Sequence, residues 1–123
     1  SKFSLSKTNS SFENSSVIGI NKSIEREGQD RYSLELPIDQ QEFIKELYKV
    51  NPNTVVVLVA GSSMAINWMD ENVPAILNAW YPGEQGGNAV AEVLFGDYNP
   101  GGRLPLTYYN SLDELPAFDD YSV

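Results

Sequence analysis

Two residue types that carry much of protein chemistry are missing from this sequence. Its 123 residues include no cysteine and no histidine. Disulfide bonds, thiolate metal sites and cysteine nucleophiles are therefore excluded. Ser-His-Asp catalysis and the usual zinc site are excluded as well, because both depend on imidazole. We expect no metal site in this chain.

Basic residues and long apolar runs are also scarce. Eight Lys and Arg stand against seventeen Asp and Glu, which gives a formal net charge of -9. This charge repels nucleic-acid phosphates and anionic lipid head groups. The longest apolar run, residues 55–60, is far shorter than the roughly 20 residues that span a bilayer. We expect neither a nucleic-acid partner nor a membrane partner. No signal peptide is recognisable, so a secreted protein would have lost its leader.

The size and composition that remain suit one domain with a real core, since 41% of the residues are hydrophobic. Residues 1–16 are rich in Ser and Asn, with few apolar residues. That composition buries little surface and predicts a mobile arm or an edge segment. Residues 17–123 are then expected to form the domain.

The apolar pattern predicts strands and helices in alternation. Residues 17–20 and 54–60 have the short, β-branched character of buried strands, and residues 39–50 show helical spacing. Further along, the pattern predicts a short helix from Asp70, a strand at 75–80, a helix at 88–95 that Asn88 caps and Gly96 ends, and an edge strand at 104–108. This order predicts an α/β three-layer sandwich with a mostly parallel sheet. The expected core residues are Ile18, Val55, Val57, Leu58, Ile76, Leu77, Val93 and Leu94.

Three segments carry a specific resemblance to a known family. They are GINKSIEREGQDR at residues 19–31, WYPGEQGGNAVAEVLFGDYNPGGRLPLT at residues 80–107 and LPAFDDYS at residues 115–122. These runs resemble the second, α/β-sandwich domain of glycoside hydrolase family 3, the β-glucosidases and β-xylosidases. The resemblance covers about residues 17–122. One departure is GSSM at residues 61–64, where the family more often has Gly-x-Pro.

The resemblance implies a retaining exo-β-glycosidase that removes terminal β-D-glucosyl or β-D-xylosyl residues without a metal or organic cofactor. It also implies a sandwich truncated at its N-terminal side and an N-terminal barrel domain that supplies the aspartate nucleophile. The expected partners are a β-linked oligosaccharide or glycoside and that barrel domain, and the isolated chain should be nearly inert. A periplasmic or extracellular location is favoured by the same resemblance.

Two glutamates are candidates for the catalytic acid/base. Retention requires two carboxyl groups roughly 5 to 5.5 Å apart, and the resemblance places one of them in the segment with Glu25 and Glu27. We favour Glu27, because counting back from Arg31 places it where many β-glucosidases of the family have their acid/base. Counting forward from Gly19 instead matches Glu25 to the residue used by some exo-glucanases of the family. Repulsion between the two carboxylates would raise a pKa toward the range of a general acid. The alternative is that these residues belong to a solvated run of charges.

Arg31 and the aromatic pair that begins the second motif have two interpretations each. Arg31 is a candidate substrate-binding residue, because its guanidinium can orient a carboxylate or reach a sugar hydroxyl, but an arginine that anchors a loop is as common. Trp80 and Tyr81 are suited to stacking on a sugar, although we favour a role at a domain interface. The competing class of function is a non-catalytic carbohydrate-binding or interaction module with the same sandwich fold.

Overall fold

The computed structural model describes residues 14–117 and 119–120. Strands and helices alternate along this part of the chain, as predicted. They are β1 (Asn14–Gly19), α1 (Ile38–Val50), β2 (Thr54–Val59), α2 (Asn67–Asn72), β3 (Ala75–Asn78) and α3 (Gly86–Phe95), followed by a short 3-10 helix (Leu112–Glu114). The predicted edge strand at 104–108 is wrong, because this segment forms no strand.

The three strands form one parallel sheet in the order β1-β2-β3. The parallel α/β architecture predicted from the sequence is therefore confirmed. β2 lies in the centre, and five of its six residues are buried, as expected of a β-branched strand in a parallel sheet. β1 begins at Asn14, so residues 14–16 of the predicted arm or edge segment lie in a strand at the edge of the described sheet. Residues 1–13 lie outside the described residues.

The main core lies between one face of the sheet and the helices α1 and α2. Ile18, Val56 and Leu58 on the strands pack with Ile44 of α1 and Met69 of α2. Of the core residues predicted from the sequence, Ile18, Val55, Val57 and Leu58 are buried. The side chains of the sheet thus supply the central layer that the pattern predicted.

The second part of the core prediction is only partly right. Ile76 is half-buried and packs against the core. Leu77, Val93 and Leu94 are half-buried but lie outside this cluster, and Phe95 at the end of α3 is 84% exposed. The reason is that α3 is apolar on more of its surface than the described residues cover. Among these residues, no helix has the length and apolarity needed to cross a membrane.

The start of α3 also differs from its prediction. The helix begins at Gly86 after Gln85, so Asn88 lies inside it and is not its N-cap. The Asn88 side chain instead donates a hydrogen bond to Oε1 of Gln85, at 2.6 Å. The N–H of Gly86 donates to the carbonyl of Gly83, which forms a turn directly before the helix. The helix therefore begins earlier than the prediction of Asn88 as its N-cap implied. The end of α3 at Gly96, in a left-handed conformation, is as predicted.

A close approach of two strands fixes the point where β1 ends. Gly19 has a φ of +156°, and a Cβ at this position would lie 1.8 Å from the carbonyl oxygen of Val59. The peptide groups of Gly19 also pair with the Gln40 side chain, which accepts from the N–H and donates to the carbonyl, each at 2.9 Å. Glycine at this position therefore sets the start of the loop that follows β1.

Replacement of Gly19 by alanine tests this close approach. The added methyl group must displace the Val59 carbonyl, and alanine also disfavours the backbone conformation. We expect the free energy of unfolding to fall by about 3 kcal/mol or more, measured by urea denaturation. Gly101→Ala is a matched control, because a Cβ there meets nothing within 4 Å. Equal stability of the two variants would contradict this account.

Candidate active site

Polar side chains converge at the carboxyl edge of the sheet. Since the strands are parallel, the loops that follow β1, β2 and β3 all leave from this edge, where α/β proteins commonly bind ligands. Glu25 lies in the loop after β1 and reaches both of the other loops. Its Oε1 accepts hydrogen bonds from the N–H of Gly61, at 2.7 Å, and from the Tyr81 hydroxyl, at 2.8 Å, while its Oε2 accepts from the Ser62 hydroxyl.

Arg31 completes this group, which we call the Glu25 cluster: Glu25, Arg31, Gly61, Ser62 and Tyr81. The Arg31 side chain is 9% exposed, and its Nε lies 3.5 Å from Oε2 of Glu25. Its Nη2 donates to the Ser62 hydroxyl at 2.8 Å and to the Ser63 carbonyl at 2.6 Å, and its Nη1 contacts Sδ of Met64 at 2.9 Å. All three side-chain nitrogens of Arg31 are therefore engaged by the protein.

The cluster keeps the Glu25 carboxyl in its charged form. Burial alone would raise the pKa of Glu25, but the hydrogen bonds from Ser62, Tyr81 and Gly61 and the charge of Arg31 outweigh it. The pKa of Glu25 is therefore lower than its ordinary value of 4.5. The expectation that repulsion would raise a carboxyl pKa is wrong for Glu25. Burial, and then the neighbouring carboxylate, raise the pKa of Tyr81, so its hydroxyl remains a donor.

Glu27 lies only two residues further on but has different surroundings. Arg26 and Gln29 are joined by a turn in which the N–H of Gln29 donates to the carbonyl of Arg26 at 3.0 Å. Gly28 takes a φ of +74° at the third position of the turn, which glycine adopts without strain. Glu27 occupies the second position and is exposed. Within residues 14–117 and 119–120, its side chain has no hydrogen bond or ion pair.

A cleft of about 390 Å³ lies beside this turn. It is formed by the loop between β1 and α1 and by the start of α1, and it includes Ile24, Gln29 and Arg31. Tyr32 on its rim is fully exposed. In the part of the chain that the structure describes, no three His, Cys, Asp or Glu side chains are grouped so that they could hold a metal ion.

The backbone of Trp80 is unusual and lies next to the cluster. Trp80 has a φ of +54° and is the only residue other than glycine with a positive φ among those described. A bulky aromatic residue rarely adopts this conformation, which costs about 1 to 3 kcal/mol. It precedes Tyr81, whose hydroxyl reaches Glu25. The proposed interface role of Trp80 and Tyr81 stays a prediction.

Sequence reasoning brought together Glu25, Glu27 and Arg31 but missed Ser62 and Tyr81 as partners of Glu25. A signal for them was present, since each follows the end of a strand in a sheet predicted to be parallel. The GSSM run at residues 61–64, which replaces the commoner Gly-x-Pro, supplies three contacts to Arg31. The departure thus lies at the site.

Fold and site together define an α/β domain whose parallel sheet presents a carboxylate-bearing turn at its carboxyl edge. Residues 9–123 match the family described as the glycosyl hydrolase family 3 C-terminal domain. The chain belongs to this family.

Relatives and solved structures agree with this assignment. The chain is 49% identical, over 78% of its length, to a xylan 1,4-beta-xylosidase of Xylanibacter ruminicola. It is 45% identical, over 82% of its length, to a beta-glucosidase of Bacteroides ovatus. The structure of the Kluyveromyces marxianus beta-glucosidase in complex with glucose matches 87% of the chain with a TM-score of 0.80 at 39% identity. The chain spans 11%, 14% and 13% of these three proteins, respectively.

The low pKa of Glu25 predicts how stability depends on pH. A carboxyl group whose pKa is lower in the folded state than in the unfolded state stabilises the folded state. The stabilisation is fully present when the pH is above the unfolded-state pKa, here near 4.5. This contribution is lost as the pH falls through the folded pKa. We expect Glu25→Gln to lower the free energy of unfolding at pH 7 by about 2 kcal/mol. As the pH is lowered below 4.5, the free energies of unfolding of the variant and the unchanged chain should approach each other.

Urea denaturation at a series of pH values measures this dependence. Glu42→Gln is the matched control, because Glu42 is exposed on α1. It should leave both the stability and its pH profile nearly unchanged. A Glu25→Gln variant whose difference from the unchanged chain stayed constant between pH 7 and pH 3 would show that the charge of Glu25 is not what stabilises the fold.

Proposed function

We propose that this chain supplies the general acid/base, Glu27, to a retaining exo-β-glycosidase that hydrolyses terminal β-D-glucosyl or β-D-xylosyl residues. Membership of glycoside hydrolase family 3 and the names of the relatives support the reaction class. The observation that carries the choice of residue is the contrast between the two glutamates. Glu27 is exposed and unpaired among the described residues, whereas Glu25 is held by four partners.

This contrast matters because a general acid must hold a proton and must reach the leaving oxygen. Glu25 accepts three hydrogen bonds and forms an ion pair with Arg31. Its pKa lies below 4.5, so it carries no proton to donate near pH 7. Its oxygens are also occupied by protein donors. Glu27 meets the requirement of access, since its carboxyl group is free to contact a substrate brought to the turn.

In the proposed mechanism Glu27 acts twice. It first protonates the glycosidic oxygen as the bond to the sugar breaks, while a second carboxylate attacks the anomeric carbon. It then removes a proton from the water that hydrolyses the glycosyl-enzyme intermediate. The second carboxylate is an aspartate of a barrel domain in the same protein, as the resemblance implies. Arg31 acts in this scheme as a loop anchor, because its nitrogens already contact Glu25, Ser62, Ser63 and Met64.

The test is Glu27→Gln in the full-length enzyme that carries this domain. We expect kcat/KM for a phenyl β-glycoside to fall by about 100- to 10,000-fold, because phenolate leaves poorly without a proton. A 2,4-dinitrophenyl glycoside needs no proton for departure and should lose far less in its first step. Added azide should restore turnover, because it attacks the anomeric carbon of the glycosyl-enzyme in place of water and needs no base. The enzyme carboxylate is then released, with a glycosyl azide as the product.

Glu42→Gln is again the matched control and should retain the activity of the unchanged enzyme. Full activity of Glu27→Gln on the phenyl glycoside would overturn the assignment of Glu27. Sugar binding without turnover, in the unchanged protein, would instead support the non-catalytic module as its function.

A further inference from the structure

Glu27 lies on a short arch whose two ends are held by the Glu25 cluster. The arch consists of residues 26–30, between Glu25 and Arg31. At one end, the carboxylate of Glu25 binds the loops after β2 and β3 through Gly61, Ser62 and Tyr81. At the other end, Arg31 binds the loop after β2 through Ser62, Ser63 and Met64. The Glu25 and Arg31 side chains also meet each other, which closes the base of the arch.

The main chain leading into the arch is fixed as well. The N–H groups of Ile24 and Glu25 both donate to the carbonyl of Asn21, at 2.9 and 3.0 Å. The Asn21 side chain in turn accepts from the N–H and the hydroxyl of Ser23. Glu25 is therefore held through its backbone on one side and through its carboxylate on the other. The turn between Arg26 and Gln29 is the one hydrogen-bonded feature within the arch, among the described contacts.

Two further observations indicate that the position of Tyr81 against Glu25 is specified. Trp80 adopts a φ of +54°, an unfavourable conformation that precedes Tyr81. Gly61 lies so close that a Cβ there would be 2.6 Å from the Tyr81 ring and 2.9 Å from Oε1 of Glu25. The loop after β2 thus carries a residue without a side chain next to the Glu25 carboxylate. The loop after β3 carries a residue with a strained backbone directly before the hydroxyl donor Tyr81.

From this geometry we propose that Glu25 is a positioning residue: its carboxylate anchors the arch to the loops after β2 and β3 and thereby fixes the location of Glu27. This inference rests on the proposed catalytic role of Glu27. Glutamine cannot replace Glu25 fully. One of the two carboxylate oxygens would become an amide nitrogen, which cannot accept the hydrogen bonds that this oxygen now accepts. With the base of the arch loosened, Glu27 moves relative to the leaving oxygen, and a displacement of about 1 Å can reduce the rate by about 100-fold.

The readout that tests positioning is a ratio. It is kcat/KM for a 2,4-dinitrophenyl β-glycoside divided by kcat/KM for the phenyl β-glycoside, measured in the full-length enzyme that carries this domain. A variant that merely folds less well loses both activities equally, so its ratio stays the same. A displaced proton donor lowers only the rate that needs protonation, so the ratio increases.

We expect Glu25→Gln to raise this ratio by about 10- to 100-fold and Glu27→Gln to raise it further. Tyr81→Phe, which removes one hydroxyl donor from Glu25, should raise the ratio by a smaller factor and provides a variant that disturbs folding less. Tyr98→Phe is its matched control, because Tyr98 is exposed after α3 and outside the cluster. In the Glu27→Gln background, adding Glu25→Gln should change the ratio no further, since Glu25 acts only through Glu27.

Each other outcome decides against at least one of the two proposals. A raised ratio in Glu27→Gln with an unchanged ratio in Glu25→Gln and Tyr81→Phe would overturn the positioning role and leave the proposed function intact. A raised ratio in Glu25→Gln with an unchanged ratio in Glu27→Gln would overturn both and would identify Glu25 as the proton donor. An unchanged ratio in all three variants would also overturn both.

Discussion

The burial of β2 is the constraint on which the rest of the structure depends. Five consecutive residues of this strand are buried, so neighbouring strands must pair with both of its edges and side chains must cover both of its faces. Parallel pairing with β1 and β3 meets the first requirement. Because parallel strands end at the same side, the loops after β1, β2 and β3 then lie together. The site is thus a consequence of how the apolar centre is buried.

The partly buried charge of Glu25 is stabilised at this edge by groups from all three loops. A carboxylate removed from water costs free energy unless donors replace its hydration. One backbone N–H, two hydroxyl groups and one guanidinium surround the Glu25 carboxylate. The partners come from positions separated by 36, 37 and 56 residues from Glu25 in the sequence. A single ionised group therefore contacts both of the other loops at this edge of the sheet.

The sequence was sufficient to predict what depends on local pattern. The continuous apolar run at β2 and the spacing along α1 determine those elements, and together with the order of elements they predicted the parallel sheet. What failed depends on tertiary packing. Val93 and Leu94 have core-like spacing, but periodicity does not show what covers a helix, and the described residues leave α3 half-exposed. The segment at 104–108 has strand propensity but pairs with no strand within the described residues, and propensity alone does not form a ladder.

The same limit applies to the site, because the sequence does not show that Glu25 and Glu27 have different surroundings. In the sequence both are glutamates in one short run of charges, and each fits the family motif when it is counted from a different end. What distinguishes them is the number of partners, which depends on residues 61, 62 and 81 in other loops. A carboxylate that binds several donors is well suited to fix a loop and poorly suited to carry a proton. Glu27, on the exposed turn, has no such partners among the described residues, so two residues of one chemical type have different surroundings two positions apart.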